Sequence, residues 1–176
     1  ISKNWSFEQL SRNPNITWEI VQANPNKNWN YGYLSKNPNI TWEIVQANQD
    51  VDLSEINQLN PKDSIDWNYE WLSSNPNITW EIVQANPDKP WDYELLSENP
   101  NITREIVQNN PDKPWVYEGL SRNPNITWEI VQSNQDKPWS YYGLSDNLMK
   151  KAKNDLLEES ILSLTKVIIV KWLKFM

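Results

Sequence analysis

The sequence predicts an all-α protein: an α-solenoid of short antiparallel helix pairs, about 24 residues per repeat, closed by a C-terminal capping helix. Three observations predict it. Asn-Pro-Asn-Ile-Thr begins at Asn13, Asn37, Asn75, Asn99 and Asn123; three of the four gaps are 24 residues and the second is 38. A fixed period of that size marks a repeat architecture. Apolar residues fall at i and i+3 on eight-residue segments, the spacing of one face of a short helix. Twelve Trp recur with the period while Gly occurs only three times, too few for a fold built on β-turns.

Each period has two halves. The A half reads Ile-Thr-Trp-Glu-Ile-Val-Gln-Ala-Asn, as in residues 16–24, and the B half reads Trp-x-Tyr-x-x-Leu-Ser-x-Asn, as in residues 29–37. The apolar face is expected two and five positions after each Trp, at Ile20 and Ala23 in A and at Tyr31 and Leu34 in B. Thr-Trp-Glu-Ile-Val is rich in strand formers, but the B half Tyr93-Glu94-Leu95-Leu96-Ser97 does not alternate as a strand does. Asn before Pro is pushed out of the α region and stops a helix. Thr17, Thr41, Thr79, Thr103 and Thr127 stand where N-caps are needed, and Glu19 and its equivalents lie in the first turn, where the helix dipole favours negative charge. At the other joint, Asp88-Lys89-Pro90-Trp91 offers an Asp cap and a first-turn Pro. Helices this short do not persist alone and must be held by stacking.

The tryptophans are expected to supply the core. Trp18, Trp42, Trp80 and Trp128 mark the A halves; Trp5, Trp29, Trp67, Trp91, Trp115 and Trp139 mark the B halves. Each buries roughly 150–250 Å² when enclosed. The competing role is a platform of exposed rings for sugars or a cationic head group. Arg104 stands at the A-half Trp position of the fourth repeat, so a continuous ladder predicts its guanidinium stacked on Trp80 or Trp128.

The copies differ most at three and four positions after the B-half Trp, where all three Gly fall. The core is expected not to dictate these positions. Tyr33, Trp71, Leu95 and Tyr142 are large for an idle surface, and a variable stripe on a repeat scaffold is a natural binding face. They are the candidate partner-binding residues.

Composition narrows the function. The chain has no Cys and no His, which removes the usual zinc ligands, a thiol nucleophile and a His base. No carboxylate pair is singled out, since every repeat carries Glu and Asp, and no cofactor is implied. A net charge of −7 argues against a nucleic-acid partner. The charge is uneven: residues 148–176 carry +3 and the remainder −10. Residues 1–147 form the repeat array, with an insertion near 49–63 in one A-to-B loop. Asp50, Asp52 and Ser54 there lack the Gly and distal Glu of a calcium loop. Residues 148–176 read as a helical cap or tail; Lys166, Lys171 and Lys174 interrupt its apolar run, so no transmembrane segment is expected. The Asn-Ile-Thr triplets match a glycosylation acceptor, but turn and cap roles already explain them. Ile1 is not a start Met and the first repeat begins midway, which points to a fragment of a longer chain.

The unit at residues 75–93, Asn-Pro-Asn-Ile-Thr-Trp-Glu-Ile-Val-Gln-Ala-Asn-Pro-Asp-Lys-Pro-Trp-Asp-Tyr, resembles the tandem-repeat proteins of Mimivirus-type giant viruses. The resemblance covers about residues 5–147; the insertion and the tail depart from it. It implies a viral product located in the host cytoplasm or the virion, and it implies no activity. Three functions are weighed: a non-enzymatic scaffold that binds a protein or peptide through the B-half stripe, a structural or virion component that self-associates, and, further off, a carbohydrate-binding module using exposed Trp. An enzyme would need a unique polar cluster in one repeat, and the sequence has none.

Overall fold

The computed structural model describes residues 5–49 and 65–147. It is an all-α repeat. The B halves form α1 (Phe7–Leu10), α3 (Tyr31–Ser35), α5 (Tyr69–Ser73), α7 (Tyr93–Glu98) and α9 (Tyr117–Arg122). The A halves form α2 (Trp18–Gln22), α4 (Trp42–Ala47), α6 (Trp80–Ala85), α8 (Arg104–Asn109) and α10 (Trp128–Gln132). Residues 141–147 are helical again. The B helices make one row, α3 packing on α5, α5 on α7 and α7 on α9. The insertion and the tail lie outside the described residues, except Gln49, whose side chain bonds the Tyr69 hydroxyl.

The caps follow the sequence in the A halves and depart from it in the B halves. All five threonines occupy extended N-cap positions. The hydroxyls of Thr41, Thr79 and Thr103 accept from the N–H three residues on. Hydrogen bonds from Thr17, Thr41 and Thr79 hold the carboxyls of Glu19, Glu43 and Glu81 below the ordinary carboxylate range. In the B halves, Asp88 and Pro90 are not part of the helix. The chain turns there, with Trp91 N–H on the Lys89 carbonyl at 2.8 Å, and α7 starts two residues after the Trp. Ser6, Asn30, Asn68 and Asp92 cap α1, α3, α5 and α7, each accepting from a first-turn N–H, whereas α9 starts from Val116 with no side-chain cap.

The expected A-half face is shifted by two residues toward the N-terminus. Ile20 is 39% exposed and Ala23 is exposed, whereas Trp18 and Val21 are buried, as are Trp42 with Val45 and Trp80 with Val83. The i, i+3 spacing holds, but it starts on the Trp itself. In the B halves Leu34 and its equivalents Leu72, Leu96 and Leu120 are fully buried, as expected. The Asn closing each A half caps it through its amide: Asn86 Nδ2 donates to the Ile82 carbonyl at 2.8 Å, and Asn24, Asn48, Asn110 and Asn134 do the same. Asn48 and Asn134 precede Gln rather than Pro, so the amide closes these turns without help from a following Pro.

Polar bonds join each repeat to the next. The first Asn of Asn-Pro-Asn-Ile-Thr is buried at Asn37, Asn75, Asn99 and Asn123, and so is Asn147. Asn75 Nδ2 donates to the carbonyls of Ser35, Asn37 and Ile40 in the preceding repeat at 2.8, 2.9 and 3.2 Å. Its Oδ1 accepts from Asn77 N–H, closing an Asx turn. Asn77 Nδ2 then reaches the carbonyls of Pro38 and Ile40. Asn99 and Asn123 each repeat the three-carbonyl pattern. The B-half Ser works beside them: Ser73 Oγ donates to the Tyr69 carbonyl and accepts from Asp92 N–H of the next repeat. Loop carbonyls that would otherwise be buried and unpaired are thereby satisfied, which is why Asn and Ser recur in phase.

The aromatic packing is a lattice across two kinds of half. Trp18 meets Trp67, Trp42 meets Trp91 and Trp80 meets Trp115, with centroids 5.2–5.8 Å apart and planes tilted 45–49°. Each of these B-half rings also takes an edge-on Tyr from the preceding B helix, Tyr31, Tyr69 or Tyr93. Indole N–H groups are tied down as well: Trp29, Trp91, Trp115 and Trp139 donate to the carbonyl of the Asn five residues earlier. Trp67 follows the insertion, and its Nε1 is buried with no acceptor among the described residues.

Arg104 does not stack on Trp80 or Trp128. It is exposed, and the lattice explains why: an A-half residue faces a B-half Trp, so its counterpart is Trp139, with which it lines a small cavity of about 50 Å³. The fully buried residues fall into two clusters at this place, one running from Ile16 to Ile102 and another holding Leu120, Ile126, Val131 and Leu144, with half-buried Val107 and Trp115 packed against both. Trp128, 47% exposed, is the next A-half ring, and the position that would face it lies beyond residue 147, outside the described residues.

Candidate functional site

Three of the four residues singled out as a variable stripe come together. Tyr33, Trp71 and Leu95, from α3, α5 and α7, line one open groove of about 810 Å³. Each stands four positions after its B-half Trp, so the row of B helices places them side by side. Tyr33 and Trp71 stack with centroids 4.9 Å apart and planes 24° from parallel. A Cβ on Gly32 would lie 3.8 Å from the Trp71 ring, an ordinary contact, so the stack does not depend on this Gly. Tyr142 is not in the groove. It is 80% exposed in the last described helix.

Two groove residues escaped the sequence argument. Arg12 and Lys36 lie seven positions after Trp5 and Trp29, just past the last turns of α1 and α3. The Arg12 guanidinium carbon sits 3.9 Å above the Tyr33 centroid, and its Nη2 donates to the Tyr33 hydroxyl. Arg12, Tyr33 and Trp71 thus form a cation–ring–ring stack. The signal was present: four and seven positions after the Trp are i and i+3, one helix face. The second of these registers reads Arg12, Lys36, Ser74, Glu98, Arg122 and Asp146, varied like the first. Glu70, in the first turn of α5, is the carboxylate lining the groove.

The same stripe is closed further along, which corrects the expectation that the core does not dictate it. Gly119 is buried, and a Cβ there would fall 2.5 Å from the Glu94 carbonyl and 2.9 Å from Ser97 Cβ. Gly143 is similarly tight, with Ser121 Cβ at 3.0 Å. Arg122 bridges Glu98 at 2.9 Å and Glu118 at 2.7 Å over this closed part, and both partners push its guanidinium pKa up. The stripe therefore has an open aromatic portion and a portion packed shut by Gly.

The tryptophans placed in the ladder are mostly interior. Trp18, Trp29, Trp42, Trp67 and Trp80 are buried, and Trp91, Trp115 and Trp139 are half-buried. Among the described residues no helix is long and apolar enough to cross a membrane, and no acidic cluster is arranged to hold a metal ion. Comparison with family models, curated proteins and solved structures finds no match.

Proposed function

We propose that the chain is a non-enzymatic α-solenoid scaffold that binds a peptide segment of a partner protein along its B-helix row. The observation that carries this reading is the groove. Its volume of about 810 Å³ is that of a small-ligand or peptide site, and it joins three B helices through side chains the fold does not require to be large. Equivalent positions are Gly in later repeats and Gln9 in the first, so neither the aromatic lattice nor the Asn ladder needs Tyr33, Trp71 or Leu95. Aromatic side chains on a rigid element are the usual anchors of an interface. The resemblance of the repeat unit to giant-virus tandem repeats supports a viral origin, with an amoebal host protein as partner in the cytoplasm or the virion. Selection from a random peptide library tests the reading. A recurrent motif is expected from the wild type and not from Trp71→Ser/Leu95→Ser. Recovery of the same motif from the variant would overturn it.

Self-association is the second reading. Tyr141 and Tyr142, each 80% exposed, favour it, because a pair of exposed rings suits contact with a second copy. Sedimentation of wild type against Tyr141→Ser/Tyr142→Ser distinguishes it: concentration-dependent assembly lost in the variant supports the second reading.

A further inference from the structure

We infer that the groove takes an acidic, extended peptide, running with its carboxylates over Arg12 and Lys36 and its apolar side chains over Trp71 and Leu95. This rests on the groove being a peptide site and names the chemistry of its occupant. The argument is one of charge left uncompensated. Arg122 occupies the same register as Arg12 and Lys36, and two glutamates clamp it. Glu8 stands four residues before Arg12, as Glu118 stands before Arg122, yet Arg12 turns to Tyr33 instead. Among the described residues neither Arg12 nor Lys36 forms an ion pair, in a chain whose net charge is −7. Two unpaired cations one repeat apart, beside a ring stack, are complementary to carboxylates. Glu70 opposes them, but it belongs to the first turn of α5, next to Trp71, whereas Arg12 and Lys36 follow the ends of their helices. The groove is therefore cationic toward α1 and α3, and toward α5 and α7 it presents Trp71 and Leu95 with one carboxylate, Glu70.

The stack also sets a spacing. Neighbouring packed helices lie about 8–10 Å apart, which a chain in the extended polyproline II conformation covers in one turn of roughly three residues, returning every third side chain to the same face. Carboxylates and apolar side chains that follow the row of B helices would recur every third residue. A capped peptide Glu-Ser-Gly-Glu-Ser-Gly-Leu-Ser-Gly-Leu carries that pattern, and analogues with Gln or Lys in place of both Glu serve as controls. Isothermal titration of the full chain at low salt is expected to show the Glu peptide binding about tenfold tighter than the Gln peptide, with the Lys peptide weakest. In Arg12→Gln/Lys36→Gln, two exposed substitutions, the Glu peptide should fall to the level of the Gln peptide; Leu95→Ser should weaken all three together. Equal binding of the Glu and Gln peptides, or a preference for Lys, overturns the acidic assignment and leaves the groove reading standing. No heat from any of the three overturns both.

Discussion

Asn99 is 1% exposed, and its amide donates to three carbonyls of the preceding repeat. Asn99→Ala removes these bonds and with them the side-chain donor to the Ser73 carbonyl, while the Asn75 and Ile78 carbonyls keep the Ile78 N–H and the Asn101 amide; the expected loss is about 2–4 kcal/mol in urea unfolding. Asn13 has the same sequence context but is exposed, and its side chain closes only the local turn to Asn15 N–H. Asn13→Ala should therefore cost less than about 1 kcal/mol. Equal losses would refute the ladder as the bond between repeats. The Trp rings allow a second comparison. Trp91 Nε1 donates to the Asn86 carbonyl at 2.8 Å, while Trp67 Nε1 is buried without an acceptor among the described residues. Both rings pack on an A-half Trp and an edge-on Tyr. Phe at 91 loses ring volume and a hydrogen bond; Phe at 67 loses volume and relieves an unpaired donor. Trp91→Phe should be more destabilising than Trp67→Phe by about 1–2 kcal/mol, read from the difference in denaturation midpoints.

At the scale of the element, the B helices are spaced by one residue each. Gly119 lets α9 lie against the α7 backbone, and Cβ contacts of 2.5 and 2.9 Å leave no room for Ala. Gly119→Ala should destabilise by about 1–3 kcal/mol despite the gain in helix propensity. At Gly32 the nearest atom is the Asn30 cap oxygen at 3.1 Å, which can give slightly, so Gly32→Ala should range from neutral to about 1 kcal/mol more stable. Thermal unfolding of both variants checks the pair, and similar behaviour would mean that the row is evenly spaced. These elements also show what the sequence made legible. The A-half starts were readable because Thr and Glu act within one turn. The B-half starts were not, because Asp88-Lys89-Pro90 has the composition of a helix entry yet forms a turn beneath the Trp91 indole. The role of Asn in the repeat joint was hidden for a different reason: its acceptors lie 21 to 40 residues away and leave no local pattern. Of the groove, the apolar members could be found by comparing copies. The cations could not be ranked until Arg12 was seen on Tyr33 and Arg122 was seen paired.

For the whole molecule, the question is how far cooperativity extends along the array. In a stack of repeats, stability is a sum of units and of the interfaces between neighbours, so one weak interface can divide the unfolding. Arg104 marks such a place. The three earlier A-half rings each cover a B-half Trp, but Trp139 has the exposed Arg104 and a cavity of about 50 Å³ on that side, and the two buried clusters meet there through half-buried Val107 and Trp115. The Asn ladder runs on without a break, through Asn123 and Asn147, and Tyr117 still packs edge-on against Trp139 with centroids 5.0 Å apart, so the repeats beyond keep the polar bonds and the Tyr–Trp contact while losing the Trp–Trp one. Arg104→Trp adds the missing ring in a register that Trp80 and Trp115 already demonstrate, and the departing Arg side chain enlarges the space available to it. The expected result is about 1–3 kcal/mol of added stability and a steeper urea transition, because repeats that opened separately would now unfold together. Hydrogen exchange gives the spatial test: amides of α9 and α10 should rise in protection toward those of α5 and α6 in the variant. An unchanged slope and unchanged exchange would show that the polar ladder alone already couples the two clusters, and that the lattice of rings adds stability without adding cooperativity.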